Sequence, residues 1–176
     1  MKDILFNVGS LEFEILELLG KSKGDGKMPK LLNYFKSSDP THEVYKPIKY
    51  DILNENDKWE VYMAFNDSLI FEFLKDKLIY IAFDLRFLDN KVISLPPFVK
   101  DINSIKDLDI EGVFNHEDGY FQTIIDSDIV LGIILDEHKK EKIKVVAFGD
   151  LNVFSDEKNM PNRCSEILSS LGKFTV

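Results

Sequence analysis

The sequence predicts an α+β protein: two antiparallel β-meanders forming one or two sheets, packed by an N-terminal helical hairpin and a C-terminal helix. Three observations predict it. Apolar residues alternate densely over 59–87, a second strand-rich region spans 120–148, and apolar residues recur at helical spacing near both ends of the chain. Strands grouped apart from helices and joined by short turns favour antiparallel pairing over βαβ units. At 176 residues the chain suffices for a single domain, 1–176, with its own core.

In chain order, Ser10 reads as the N-cap of a helix over 11–19. Leu11, Ile15, Leu18 and Leu19 form its apolar stripe, Glu12 and Glu14 complement its dipole, and Gly20 stops it. A second helix begins near Pro29, buries Leu31, Leu32 and Phe35, and ends at Ser37-Ser38-Asp39-Pro40. The two make a helical hairpin. Residues 44–53 read as an edge strand or an extended approach, because Pro47 removes a ladder donor.

The first meander follows. Trp59, Val61, Met63 and Phe65 share one strand face, and Asn66-Asp67 turns the chain. Leu69, Phe71 and Phe73 then alternate with Ile70, Glu72 and Leu74, and Lys75-Asp76-Lys77 closes a hairpin. In the third strand Ile79, Ile81, Phe83, Leu85 and Phe87 share a face. Because Ile70, Leu74, Leu78 and Tyr80 lie opposite the Phe-rich face, the sheet should be covered on one side and at least partly on the other.

Residues 89–97 are a connector stiffened by Pro96-Pro97, and Ile102, Ile105 and Leu108 suit a short helix. Strands over 120–125, 129–135 and 143–148 make the second meander, with turns at Asp126-Ser127-Asp128 and over 137–142. Cys164, Ile167, Leu168 and Leu171 form a last helical stripe ending at Gly172.

Composition excludes several classes. Hydrophobic residues make up 44% and charged residues 30%, as in ordinary globular proteins, and there is no apolar run of about 18 residues to span a bilayer. The start, Met1-Lys2-Asp3-Ile4-Leu5-Phe6, has an acid beside its one base and no apolar core before Gly9, so no secretory signal is expected. The one cysteine, Cys164, forbids an internal disulfide and suits a cytoplasmic location.

The net charge of -9 disfavours direct contact with nucleic acid and favours basic protein partners. Most of the excess lies over 101–128, where eight carboxylates (Asp101, Asp107, Asp109, Glu111, Glu117, Asp118, Asp126 and Asp128) meet one lysine, Lys106, for a net of -7.

No motif reaches a recognisable chemistry. Gly20-Lys21-Ser22 resembles the end of a P-loop, but Ile15 stands where the first glycine is needed, and the triplet closes a helix instead of opening one. Asp107-Leu108-Asp109-Ile110-Glu111-Gly112 supplies the first half of a calcium loop. Its twelfth residue is Asp118, a methylene shorter than glutamate, and a strand follows where a helix should exit. His42, His116 and His138 are scattered, so no zinc site is expected. His116-Glu117-Asp118 and the pair Asp126/Asp128 are more readily solvated turns than proton-transfer groups. Cys164 reads as a small buried hydrophobe. The chain is accordingly expected to be no enzyme and to need neither cofactor nor metal.

Leu18-Leu19-Gly20-Lys21, followed by Asp25, Leu31-Leu32 and Phe35 and then a β-meander, resembles the opening of a group of bacterial immunity proteins. These are cytoplasmic partners that neutralise toxin domains, including those of contact-dependent growth inhibition and related polymorphic toxin systems. The resemblance covers about the first half of the chain. It implies an inhibitor that acts by binding a cognate toxin domain, with no catalytic residue to carry over and no membrane or nucleic-acid partner. The alternative is a protein-binding or small-ligand-binding module without catalytic activity. Charge and aromatic content nominate Asp107, Asp109, Glu111, Phe114, Glu117, Asp118, Tyr120, Asp126 and Asp128 as the toxin-facing residues, acids for steering and aromatics for anchoring.

Overall fold

A computed structural model describes residues 5–45, 59–87, 93–95, 101, 113–115, 120–126, 129–136, 138–139 and 142–150. The chain opens with a hairpin, β1 (Leu5–Val8) and β2 (Leu11–Glu14), followed by a single helical turn, α1 (Ile15–Leu18), and a longer helix, α2 (Met28–Ser38). Strands β3 (Glu43–Tyr45), β4 (Trp59–Ala64), β5 (Leu69–Leu74), β6 (Lys77–Asp84) and β7 (Ile93–Ser94) come next. They are followed by β8 (Val113–Asn115), β9 (Tyr120–Asp126), β10 (Ile129–Leu135) and β11 (Ile143–Asp150).

The expected helical hairpin does not form, because the first expected helix is mostly strand. Val8 pairs with Leu11, which leaves Gly9-Ser10 as a two-residue turn. Gly9 sits at φ +59, the geometry of a type II′ hairpin with glycine first. In Leu11-Glu12-Phe13-Glu14 the period of two overrides the helical spacing, since Phe13 and Ile15 are buried as continuations of Phe6 and Val8. Only Ile15–Leu18 is helical, and Gly20 at φ +78 turns the chain after it.

The second helix forms near Pro29 and ends before Asp39 as expected, burying Met28, Leu31 and Phe35, while Leu32 is only partly buried. The expected short helix over Ile102, Ile105 and Leu108 and the C-terminal helix through Cys164 lie outside the described residues.

Both meanders belong to one eight-stranded antiparallel sheet of order β3-β4-β5-β6-β11-β10-β9-β8; a three-stranded sheet, β2-β1-β7, accompanies it. The seam is β6 against β11, where Phe83 meets Val146 and Ile81 meets Phe148. A long return from β6 to β11 thus closes two sequence-local meanders into one layer. At the β5–β6 turn both Lys75 and Asp76 have positive φ, the arrangement of a type I′ hairpin that follows the right-handed strand twist.

One face of the large sheet carries Leu69, Phe71, Phe73, Ile81, Phe83, Leu131, Ile133, Val146 and Phe148, all buried. The small sheet and helices cover it. Phe6 of β1 lies 5.3 Å from Phe83 and 6.5 Å from Phe71, while Phe35 of α2 lies 5.5 Å from Phe71. These centroid spacings are those of favourable tilted and edge-on ring pairs.

A bulge corrects the reading of the third strand. Glu72 pairs with Tyr80 but Phe73 pairs with Leu78, so Ile79 is the extra residue. Leu78 therefore joins the Phe-rich core instead of facing away from it. β6 also ends at Asp84, and Phe87 is exposed.

The second sheet face is buried too. Val61, Glu72, Tyr80, Gly149 and Val130 form one cross-strand row, each the register partner of the next. Val61, Glu72, Tyr80 and Val130 are all below a tenth exposed, so β5 and β6 are interior strands on both sides, as their near-continuous apolar runs require.

Candidate functional site

The acidic stretch is placed in part. Asp101 forms an isolated antiparallel bridge with Lys142. Phe114 lies in β8 opposite Phe121, Tyr120 opens β9 opposite Asn115, and Asp126 closes β9 opposite Ile129. Asp107, Asp109, Glu111, Glu117, Asp118 and Asp128 lie outside the described residues, as does His116.

Phe114 and Tyr120 are thereby brought onto adjacent strands at one end of the eight-stranded sheet. Among the described residues β8 is its terminal strand, and a strand bonded on one side presents backbone donors and acceptors on the other. The charge-rich segment and the sheet edge coincide in sequence, a juxtaposition that the turn-by-turn reading did not contain.

At the opposite end, a second surface is built where α2 runs out over β3 and β4. It starts from Asp39, the residue that follows α2. A carboxylate at a helix C-terminus opposes the macrodipole, so its position is dictated by the bonds it accepts. Asp39 Oδ1 accepts from the backbone N–H and the hydroxyl of Thr41 at 2.9 and 2.7 Å, and Oδ2 accepts from the N–H of Phe65. The Thr41 hydroxyl oxygen in turn accepts from the N–H of Asn66 at 2.9 Å.

Burial alone would raise the Asp39 carboxyl. The hydrogen bonds from Thr41 and Phe65, with the charge of His42, outweigh it and hold the group below its ordinary value. The network ties the end of α2 to the β4–β5 turn, whose residues Phe65, Asn66 and Asp67 all have positive φ.

His42 is fixed by this frame. Its Nδ1 lies 3.2 Å from the carbonyl oxygen of Met63, an acceptor, so Nδ1 carries the proton and Nε2 is the remaining ring nitrogen. The imidazole lies nearly parallel to the Tyr62 ring at 5.9 Å and is tilted against Phe35 at 6.0 Å.

Beyond Tyr62, Lys23 sits over the Tyr62 and Phe73 rings at 5.4 and 5.2 Å, ion-paired with Glu60 and 3.8 Å from Asp76. Burial, helped by the negative charge of Asp76, raises the Tyr62 phenol above its ordinary range. It stays protonated at neutral pH.

Pro29, Leu32, Asn33 and Lys36 on the flank of α2, with His42, Val44 and Tyr62 opposite, line an open cleft of about 480 Å³. Among the described residues its lining holds a lysine and a histidine and no carboxylate. Sequence reading set His42 aside as one of three scattered histidines and missed this surface. The available signal was the spacing of Pro29, Leu32, Asn33 and Lys36, which puts them on one helix flank.

The chain matches no protein-family model, no curated protein and no solved structure.

Among the described residues no group of three or more His, Cys, Asp or Glu side chains is placed to hold a metal ion. No described helix is long and apolar enough to cross a membrane.

Proposed function

We propose that this chain is a cytoplasmic immunity protein. It binds and neutralises a cognate toxin domain, a basic nuclease of a contact-dependent growth inhibition or related polymorphic toxin system, and has no catalytic activity of its own. The single observation that carries the reading is the net charge of -7 over 101–128, in the part of the chain that includes the terminal strand β8.

Such a concentration of like charge repels itself unless it is solvated or matched by a partner. A nuclease needs a basic surface to hold phosphates, so complementary charge speeds encounter and excludes wrong partners. Asp107, Asp109, Glu111, Glu117, Asp118, Asp126 and Asp128 supply the field. Phe114 and Tyr120 are the anchors, and the outer edge of β8, terminal among the described strands, offers main-chain hydrogen bonds to an incoming strand.

The test is inhibition of the toxin domain encoded directly upstream of this gene. Added protein should abolish its nuclease activity, and the complex should weaken as salt rises. Reversing Asp107, Asp109, Glu111, Glu117 and Asp118 to lysine should restore nuclease activity in a protein that still folds. Unchanged inhibition by that variant removes the acidic surface from the reading, and failure of the unaltered protein to bind the toxin removes the immunity assignment.

A second reading is favoured by the cleft beside α2: a protein-binding or small-ligand-binding module. Retention of ligand at that cleft with no toxin affinity would select it.

A further inference from the structure

The cleft between α2 and the β3–β4 edge carries an inference that does not rest on the toxin reading, since β3 and β8 are opposite ends of the eight-stranded sheet. We propose that it binds a compact apolar carboxylate, with the carboxylate at Lys36 and the apolar body over the His42/Tyr62 wall.

Three observations support this. The first is shape. At about 480 Å³ the cleft has the volume of small-molecule sites, which run from roughly 300 to 1,000 Å³. Leu32, Val44 and Pro29 give it apolar walls, and the stacked His42 and Tyr62 rings complete its lining.

The second observation is charge. In a protein of net charge -9, this cleft is lined, among the described residues, by Lys36 and no acid. Among the described residues Lys36 makes no ion pair. The acid nearest to it in sequence, Asp39, is turned inward with both oxygens taken by Thr41 and Phe65. Among the described residues the site therefore presents a cation, an amide at Asn33 and no competing carboxylate.

The third is rigidity. His42 is held by Met63, Phe35 and Tyr62, and Tyr62 packs edge-on against Phe73 at 5.3 Å. A wall fixed before binding costs little ordering when a ligand arrives. Val44 is 46% exposed, an apolar side chain left open beside that wall.

Indole-3-propionate and its neutral amide, indole-3-propionamide, are titrated into the full-length protein at pH 7 and followed by ring and amide resonances. The acid should saturate with a Kd below about 1 mM, shifting Leu32, His42 and Val44. The amide should bind about five- to tenfold more weakly, as loss of a charge-assisted hydrogen bond implies. Lys36→Met keeps the apolar stem, so acid and amide should then bind alike with the thermal midpoint unchanged. Val44→Asp, at an exposed position, should repel the acid more than the amide.

The tripeptide Gly-Gly-Phe with a free C-terminus distinguishes the source of the carboxylate. Tighter binding than indole-3-propionate, lost on C-terminal amidation, assigns a peptide terminus; weaker binding assigns a free small acid. The proposal is overturned by absence of saturation at about 10 mM, by equal affinity for acid and amide in the unaltered protein, by an acid preference that survives Lys36→Met, or by shifts that map elsewhere.

Discussion

Phe71→Ala tests the centre of the fold. Phe71 is fully buried on β5, with Phe6 of the small sheet 6.5 Å away on one side and Phe35 of α2 5.5 Å away on the other. It is where both covering layers meet the large sheet. Truncation of a buried phenylalanine costs about 3–5 kcal/mol, and the upper half applies where neighbours cannot collapse into the void. They cannot here. Phe6 is also held by Phe13 and Phe83, and Phe35 by Phe65 and His42. Two lost aromatic pairs add to the transfer term. With a urea slope of about 2–3 kcal/mol/M for a chain of this size, the unfolding midpoint should fall by about 1–2.5 M. Urea titration followed by circular dichroism measures it. A midpoint that stays put with an unchanged slope refutes the placement of β5 at the centre of the core.

Three further predictions concern local devices. Asp39→Ala leaves the N–H groups of Phe65 and Thr41 without their acceptor and should cost about 2–3 kcal/mol at neutral pH in chemical denaturation. Because the folded Asp39 carboxyl lies below its unfolded value, its contribution is complete above the unfolded pKa and is lost as pH falls through the folded one. The gap between the unaltered protein and Asp39→Ala should therefore narrow on acidification below about pH 4, and a gap independent of pH would contradict the charged network.

Gly9→Ala meets both a positive φ and the Tyr34 hydroxyl, 2.7 Å from the added Cβ. Thermal melts should show a loss of about 1–2 kcal/mol, of which the additional change Tyr34→Ala relieves only the steric part. Lys75→Asn with Asp76→Gly supplies the residues that a type I′ turn prefers and should stabilise by about 1 kcal/mol; destabilisation would mean that the weak Lys23–Asp76 pair at 3.8 Å matters more than the turn.

The strands of both meanders were legible because each alternates apolar residues at a period of two and is bounded by polar turns. The core residues Phe71, Phe73, Ile81 and Phe83 follow directly from that pattern and are all fully buried. Of 44–53, read as an edge strand or an extended approach, residues 44 and 45 belong to β3, the terminal strand of the described sheet, and 46–53 lie outside the described residues. The region 5–19 was misread because its apolar residues satisfy both periods at once. Leu11, Ile15, Leu18 and Leu19 fit a helix, while Phe6, Val8, Phe13 and Ile15 fit a hairpin. A local pattern cannot rank the two, and packing of Phe6 on Phe71 and Phe83 does.

The candidate sites divide in the same way. The acid-rich stretch is a fact of composition, and its charge needs no fold to be seen. The cleft beside α2 shows in the sequence only as one helix flank, because Lys36 of α2, His42 of the following loop, Val44 of β3 and Tyr62 of β4 meet only after α2 docks on the sheet.

What the sequence determined by itself was therefore short-ranged: strand alternation in the two meanders, the second helix, the Asn66-Asp67 and Lys75-Asp76 turns and the distribution of charge. The tertiary structure alone decided the pairing of β6 with β11, which joins the meanders into one sheet, and the bulge at Ile79, which turns Leu78 into the core. The reason is physical. A strand's alternation names the face it buries but not the strand it joins, since backbone hydrogen bonds are the same for every partner and only side-chain packing across the sheet tells one neighbour from another.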